Sequence, residues 1–249
     1  DLIAASSKGK RNEINVSGKA QIQEFELSAD NYEANRHYFL NLYHQQNYDK
    51  AMSTLPIVNS TMYITRIEVW VTNRNNSIEN TRNVISFSDL GEAKEENCQG
   101  NPGGYSVNEI PRNEANDLYN WAANQPTIRG FANSVSTLSS QFSSPGPFGQ
   151  AVEYEKLENA RRLETSDFTY NALLGYISLN SPLNNDEILS VAYEYTYRGE
   201  TYQVGEFSTD GSTGQDALIL KLLKPTITNP NNKIWDLMMK NVYSMVLIK

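Results

Sequence analysis

The chain has a single cysteine, Cys98, among 249 residues. One thiol cannot build an internal disulfide framework. It also falls short of the several ligands that a thiolate zinc site needs. In the polar stretch EENCQGNPGG, Cys98 reads as an inert loop thiol. Histidine is also scarce, with only His37 and His44, seven positions apart. Read on one face of a single helix, and with no third ligand evident, the pair does not compose a metal site. An excess of positive charge is missing too: the formal net charge is −8, which argues against nucleic acid as a partner. No run approaches the roughly 18–20 apolar residues of a transmembrane helix. The start, DLIAASSKGKRNE, lacks a charged segment leading into an apolar one, so no signal peptide is visible. Beginning on Asp1 rather than Met, the sequence reads as a processed chain or a piece of a longer one.

Tyrosine is plentiful, 15 against 8 phenylalanines. With abundant Asn, Ser and Thr, it suits strands and turns in a wet, outward-facing protein. AQIQEFEL reads as a short strand ending at Ser28. The next stretch, to Pro56, reads as the clearest helix, capped by Ser28 or Asp30, with Tyr32, Phe39, Leu42 and Tyr43 near helical spacing. MYITRIEVWVT alternates as a strand: Tyr63, Thr65, Ile67, Val69 and Val71 fall on one face, with a more polar face opposite. RNVISFSDLG is a second strand. Residues 91–112 form a loop, RNEANDLYNWAANQ is helical up to Pro126, and 127–142 reads as a weak amphipathic helix through Ile128, Phe131, Val135, Leu138 and Phe142. SSPGPFG is the strongest breaker. Beyond it the chain turns β-rich, with a tight return near Asn171–Gly175 and a largely apolar central strand, ALILKLLK, before a short helical turn around Ile234, Trp235, Leu237 and Met238.

ILSVAYEYTYRGETYQVGEFS forms a hairpin. A two-residue loop at Arg198–Gly199 sets Tyr197 opposite Glu200, Tyr195 opposite Tyr202 and Tyr193 opposite Val204. Gly199 supplies the positive φ of a tight hairpin turn, and ring-on-ring partners across strands stabilise each other by roughly 0.2–1 kcal/mol each. The tyrosines therefore read first as packing, and second as a stacking platform for sugar or peptide.

Catalytic patterns are thin. No GxSxG elbow surrounds a serine. Glu194 and Glu206 fall on opposite faces of the hairpin register and do not converge as a carboxylate pair. DGSTGQD (210–216) lacks the sixth-position glycine and the bidentate glutamate of a calcium loop. NPGG and SSPGPFG lack the Lys-Ser/Thr of a phosphate loop. No catalytic, cofactor-binding or metal residue is assigned.

Several long stretches carry a family likeness: EFELSADNYEANRHYFL, ITRIEVWVTNR with RNVISFSDLGE, LLGYISLNSPLNNDEILSVAYEYTYRGETYQVGEFSTDG, and WDLMMKNVYS. Together they span about residues 20–245 and resemble the SprA/Sov family of Bacteroidetes cell-surface proteins. The resemblance implies the outer-membrane translocon of the type IX secretion system, first linked to gliding motility. That translocon is a very large β-barrel through which folded cargo proteins pass. It implies no cofactor and no catalytic residue. Partners on this reading are the rest of the barrel, other type IX secretion components and cargo, with the outer membrane reached through the parent protein. The expected fold class is α+β, a mostly antiparallel sheet with a few helices packed on it, a β-sandwich-like insert of the barrel protein. The expected segments are 1–145, an N-terminal α+β part, and 146–249, a β-rich part ending in a short helix. A cell-surface carbohydrate- or protein-binding module is the alternative.

Overall fold

The computed structural model describes residues 28–29, 31–75, 77–93, 110–140, 148–210 and 216–244. The expected strand at 20–27, Cys98 and most of the SSPGPFG and DGSTGQD loops lie outside these residues. In chain order the elements are β1 (His37–Phe39), α1 (Leu42–Met52), β2 (Met62–Val71), β3 (Thr81–Phe87), α2 (Leu118–Ala123), α3 (Pro126–Arg129), α4 (Ser134–Ser140), β4 (Tyr154–Arg162), β5 (Phe168–Asn171), β6 (Tyr176–Leu179), β7 (Leu189–Tyr197), β8 (Glu200–Val204) and β9 (Leu218–Lys224). Short 3-10 turns cover Asn113–Ala115 and Lys233–Leu237. The fold is α+β and mostly antiparallel, as expected. The one parallel pairing among the described strands joins β3 to β9.

The main sheet runs β2-β4-β3-β9-β7-β8, and β2 also pairs with β7. The pairings β2–β4, β4–β3, β3–β9, β9–β7 and β7–β2 therefore close a ring of five strands, with β8 added as the second arm of the β7 hairpin. The seam between β2 and β4 is narrow: Trp70 opposite Arg162 and Val71 opposite Arg161. A three-stranded sheet, β1-β6-β5, packs against the ring. Tyr38, Ile177 and Leu179 of this small sheet share a core with Val69, Trp70, Val191 and Tyr193 of the ring. A second core lies under the helices, where Leu118, Ala122, Ile128 and Leu138 meet Ile85, Phe87 and Ile219. Alternate residues of β3 and β9 feed the two cores, since successive side chains of a strand point to opposite faces. Every residue of β9 is buried, which matches the apolar run read as a central strand.

The hairpin register is the expected one, with Tyr193 opposite Val204, Tyr195 opposite Tyr202 and Tyr197 opposite Glu200. Arg198 (φ +53°) and Gly199 (φ +86°) both take positive φ, as a two-residue type I′ turn requires.

Three expectations need correction. The long helix from Ser28 to Pro56 is instead β1 followed by α1, capped at Asn41, whose Oδ1 accepts the His44 backbone N–H at 3.2 Å. His37 therefore lies on a strand and His44 on a helix, and they share no face. β1 forms because its backbone finds an antiparallel partner in β6, a pairing that local helical spacing does not reveal. In β2, a bulge at Thr65 breaks the expected alternation. Ile64 pairs with Tyr195 and Ile67 with Tyr193, so Ile64 joins Ile67, Val69 and Val71 on one face while Tyr63 and Thr65 leave it. The helix expected over 127–142 is split into α3 and α4 by Phe131 at φ +63°, so Phe131 and Leu138 are buried while Val135 stays exposed.

Among the described residues, all four helices precede the expected division at 145/146 and six of the nine strands follow it. Yet β2 and β3 lie in one ring with β4, β7 and β9, and β1 pairs with β6.

Candidate functional site

The tyrosine face of β7 is interior. Tyr193 and Tyr195 are wholly buried. Tyr195 stacks on Tyr202 with ring centroids 5.6 Å apart and donates its hydroxyl to the Pro111 carbonyl. Asn41 Nδ2 donates to the Tyr193 hydroxyl at 2.9 Å. Burial holds both phenols well above the usual range. These rings fill a core, so they are not a stacking platform.

Buried charges form a second theme. Glu206 accepts two bonds from the Arg129 guanidinium (2.7 and 2.6 Å), one from the Tyr119 hydroxyl (2.9 Å) and one from the Ile219 backbone N–H (3.0 Å). Burial and the neighbouring Glu206 carboxylate push Tyr119 up to about 12. Hydrogen bonding to Glu206 holds the Arg129 guanidinium above its ordinary value. Lys221 donates to Glu92 (2.7 Å) and to the Ser88 carbonyl. Glu92 in turn accepts the Leu42 N–H at the start of α1 (3.3 Å). Glu155 accepts the Thr226 N–H (2.8 Å) and hydroxyl (2.6 Å). Lys224 donates to the carbonyls of Asn185, Glu187 and Pro225, and burial lowers its pKa. Near the β2–β4 seam, Glu68 meets Arg162 (3.4 Å) and Ser208 (2.9 Å). Each buried ion is thus paired or hydrogen-bonded inside the fold, the condition under which burial of charge is tolerated.

Glu194 and Glu206 do not converge: Glu194 accepts the Thr65 hydroxyl at 2.9 Å, while Glu206 faces Arg129. His37 sits between Glu33 (3.0 Å) and Ser178 (2.8 Å). Asp210 accepts from Gln203 and from the Phe207 N–H. Among the described residues, no group of three or more His, Cys, Asp or Glu could hold a metal. The Arg129–Glu206 and Lys221–Glu92 pairs were not anticipated. Lys221, alone inside the apolar run ALILKLLK, was the available signal, because a charge at the centre of a buried strand demands a partner.

A concavity lies along α1. Tyr43, Asn47, Tyr48 and Ala51 of the helix, the loop at Asn59–Thr61, and Leu173 and Leu174 enclose about 220 Å³. His44 backs it, only 5% exposed, and burial lowers its pKa to about 4. The imidazole is therefore neutral at pH 7. Asn41 Oδ1 lies 3.2 Å from His44 Nδ1. With Asn41 Nδ2 already donating to Tyr193, that oxygen is an acceptor, which assigns the ring proton to Nδ1.

The closed strand ring and these internal ties describe a packed scaffold whose buried charges are satisfied within the chain. The family model SprA_N, motility related/secretion protein, matches residues 3–198, and the chain belongs to this family. No curated protein matches the sequence. No helix among the described residues is long and apolar enough to cross a membrane.

Proposed function

We propose that the chain is a non-enzymatic structural domain of a type IX protein secretion translocon of the SprA/Sov kind. In this role it helps form or cap the outer-membrane pore and supports gliding motility. Its partners are the remainder of the translocon barrel, other type IX secretion components and the secreted cargo, with the outer membrane reached through the parent protein. The observation that carries this reading is the family match over residues 3–198. The closed strand ring and the internal pairing of its buried charges support a load-carrying role over a reactive one.

The test uses the hairpin turn in the parent protein. A Cβ at Gly199 would meet nothing within 4 Å, so substitution there acts through φ +86° alone. Gly199→Val is expected to abolish cargo secretion, whereas Gly199→Asn, which tolerates positive φ, retains it. Normal secretion by the valine variant at normal protein level would count against the proposal.

A further inference from the structure

We propose that the cleft along α1 binds a neutral carbohydrate, one pyranose ring of a glycan. This goes beyond the translocon reading and does not depend on it. The enclosed volume, about 220 Å³, falls below the roughly 300–1,000 Å³ of pockets for drug-sized ligands. It suits a single ring better than an extended molecule.

The chemistry of the wall selects the ligand. Tyr43 and Tyr48 give aromatic surface, and Leu173 and Leu174 give aliphatic surface. Asn47, Asn59 and Thr61 line the same cleft and bring two amides and a hydroxyl. A pyranose presents the matching pair of features, a C–H face for an aromatic ring and a rim of hydroxyls that both donate and accept. The Asn59 and Thr61 side chains make no hydrogen bond to other described residues and stand exposed at the mouth, ready for such a rim. Asn47 donates once, to the Tyr43 carbonyl at 2.8 Å, which leaves its amide oxygen as an acceptor.

Charge excludes the competing ligand classes. Among the described residues, no carboxylate and no arginine lines the cleft, so a cation finds no counter-charge from them. Lys50 is the one lysine or arginine among the described lining residues, and it sits exposed. A single solvated lysine gives a phosphate or carboxylate none of the fork geometry or clustered donors that anion sites use. His44, behind the wall, adds no charge at neutral pH.

The test is NMR titration of the 249-residue chain with methyl glycosides of glucose, galactose, mannose and N-acetylglucosamine, with sorbitol as an open-chain control. Saturable shifts of the Asn47 and Asn59 side-chain amides are expected with at least one glycoside and not with sorbitol. Asn59→Trp fills the mouth from an exposed position, so the rest of the spectrum stays native. It is expected to weaken that binding by about tenfold or more, equivalent to about 1.4 kcal/mol. Thr61→Val removes one hydroxyl at constant volume and should weaken binding less. Three results would overturn the proposal: no glycoside producing a saturable shift at these amides, Asn59→Trp binding as tightly as the native chain, or a short neutral peptide saturating the cleft where the glycosides do not.

Discussion

At the residue scale, stability rests on polar groups whose partners are distant in sequence. Arg129 and Glu206 are 77 positions apart, and the Glu206 side chain is only 7% exposed. Arg129→Met would leave that carboxylate buried beside a backbone N–H and a phenol, without its counter-ion. Breaking one side of a buried pair costs about 3–5 kcal/mol, and urea denaturation should show a loss near the lower end of that range. His44 makes a different prediction. Its folded pKa is about 4, against about 6.5 in the unfolded chain. The unfolded state therefore binds the proton first as pH falls, so the stability tied to neutral His44 is complete above pH 6.5 and drains away toward pH 4. One pH unit below the unfolded value, at pH 5.5, the loss is about 1 kcal/mol relative to neutral pH. His44→Gln should remove that difference between denaturation midpoints at pH 7.5 and 5.5. An unchanged pH slope in the variant would show that other groups carry it.

At the element scale, the seating of α1 depends on one glycine. Gly175 lies in the β5–β6 turn at φ +62°, and a Cβ there would stand 1.9 Å from His44 Cδ2. The turn backbone thus packs directly on the imidazole, and the Gly175 carbonyl accepts the Leu40 N–H at 2.9 Å. Gly175→Ala combines a left-handed backbone penalty with overpacking. Together these amount to about 3 kcal/mol. Hydrogen exchange should show α1 losing protection before the β7–β8 hairpin, and an undisturbed α1 would refute the close approach. The same elements show what a linear reading of spacing misses. Tyr32, Phe39, Leu42 and Tyr43 fit a helix, yet β6 draws residues 37–39 into a strand. Thr65, as a bulge, moves Ile64 to the other face of β2. In both cases a pairing partner more than a hundred residues away outweighs the local period.

At the scale of the whole molecule, strands from both sides of residue 145 are interleaved in the ring, with β4 between β2 and β3. Neither segment, 1–145 nor 146–249, holds a sheet it could complete alone. Each expressed separately should lack native tertiary structure by NMR, and mixing the two should restore it. A folded spectrum from either segment by itself would establish the two-part organisation instead. Ring closure also explains how many charged side chains come to be buried in a chain this polar: Lys221, Lys224, Glu155 and Glu206 lie on or beside strands covered by the second sheet, the helices or the closing seam.

The β7–β8 register, the central position of β9, the apolar cluster before the C-terminus and the family likeness are all legible in the amino-acid sequence. These depend on contacts within a few residues or on long distinctive stretches. A positive-φ turn at Arg198–Gly199 dictates which side chains meet, and an unbroken apolar run implies cover on both faces. Long-range packing settles the rest: β2 closes on both β4 and β7, β1 is a strand, Arg129 finds Glu206, Lys221 finds Glu92, and α1 stands over a cleft. Alternation along a strand tells which side chains share a face but not which strand lies beside it. That choice is made by burial summed over residues far apart in the chain.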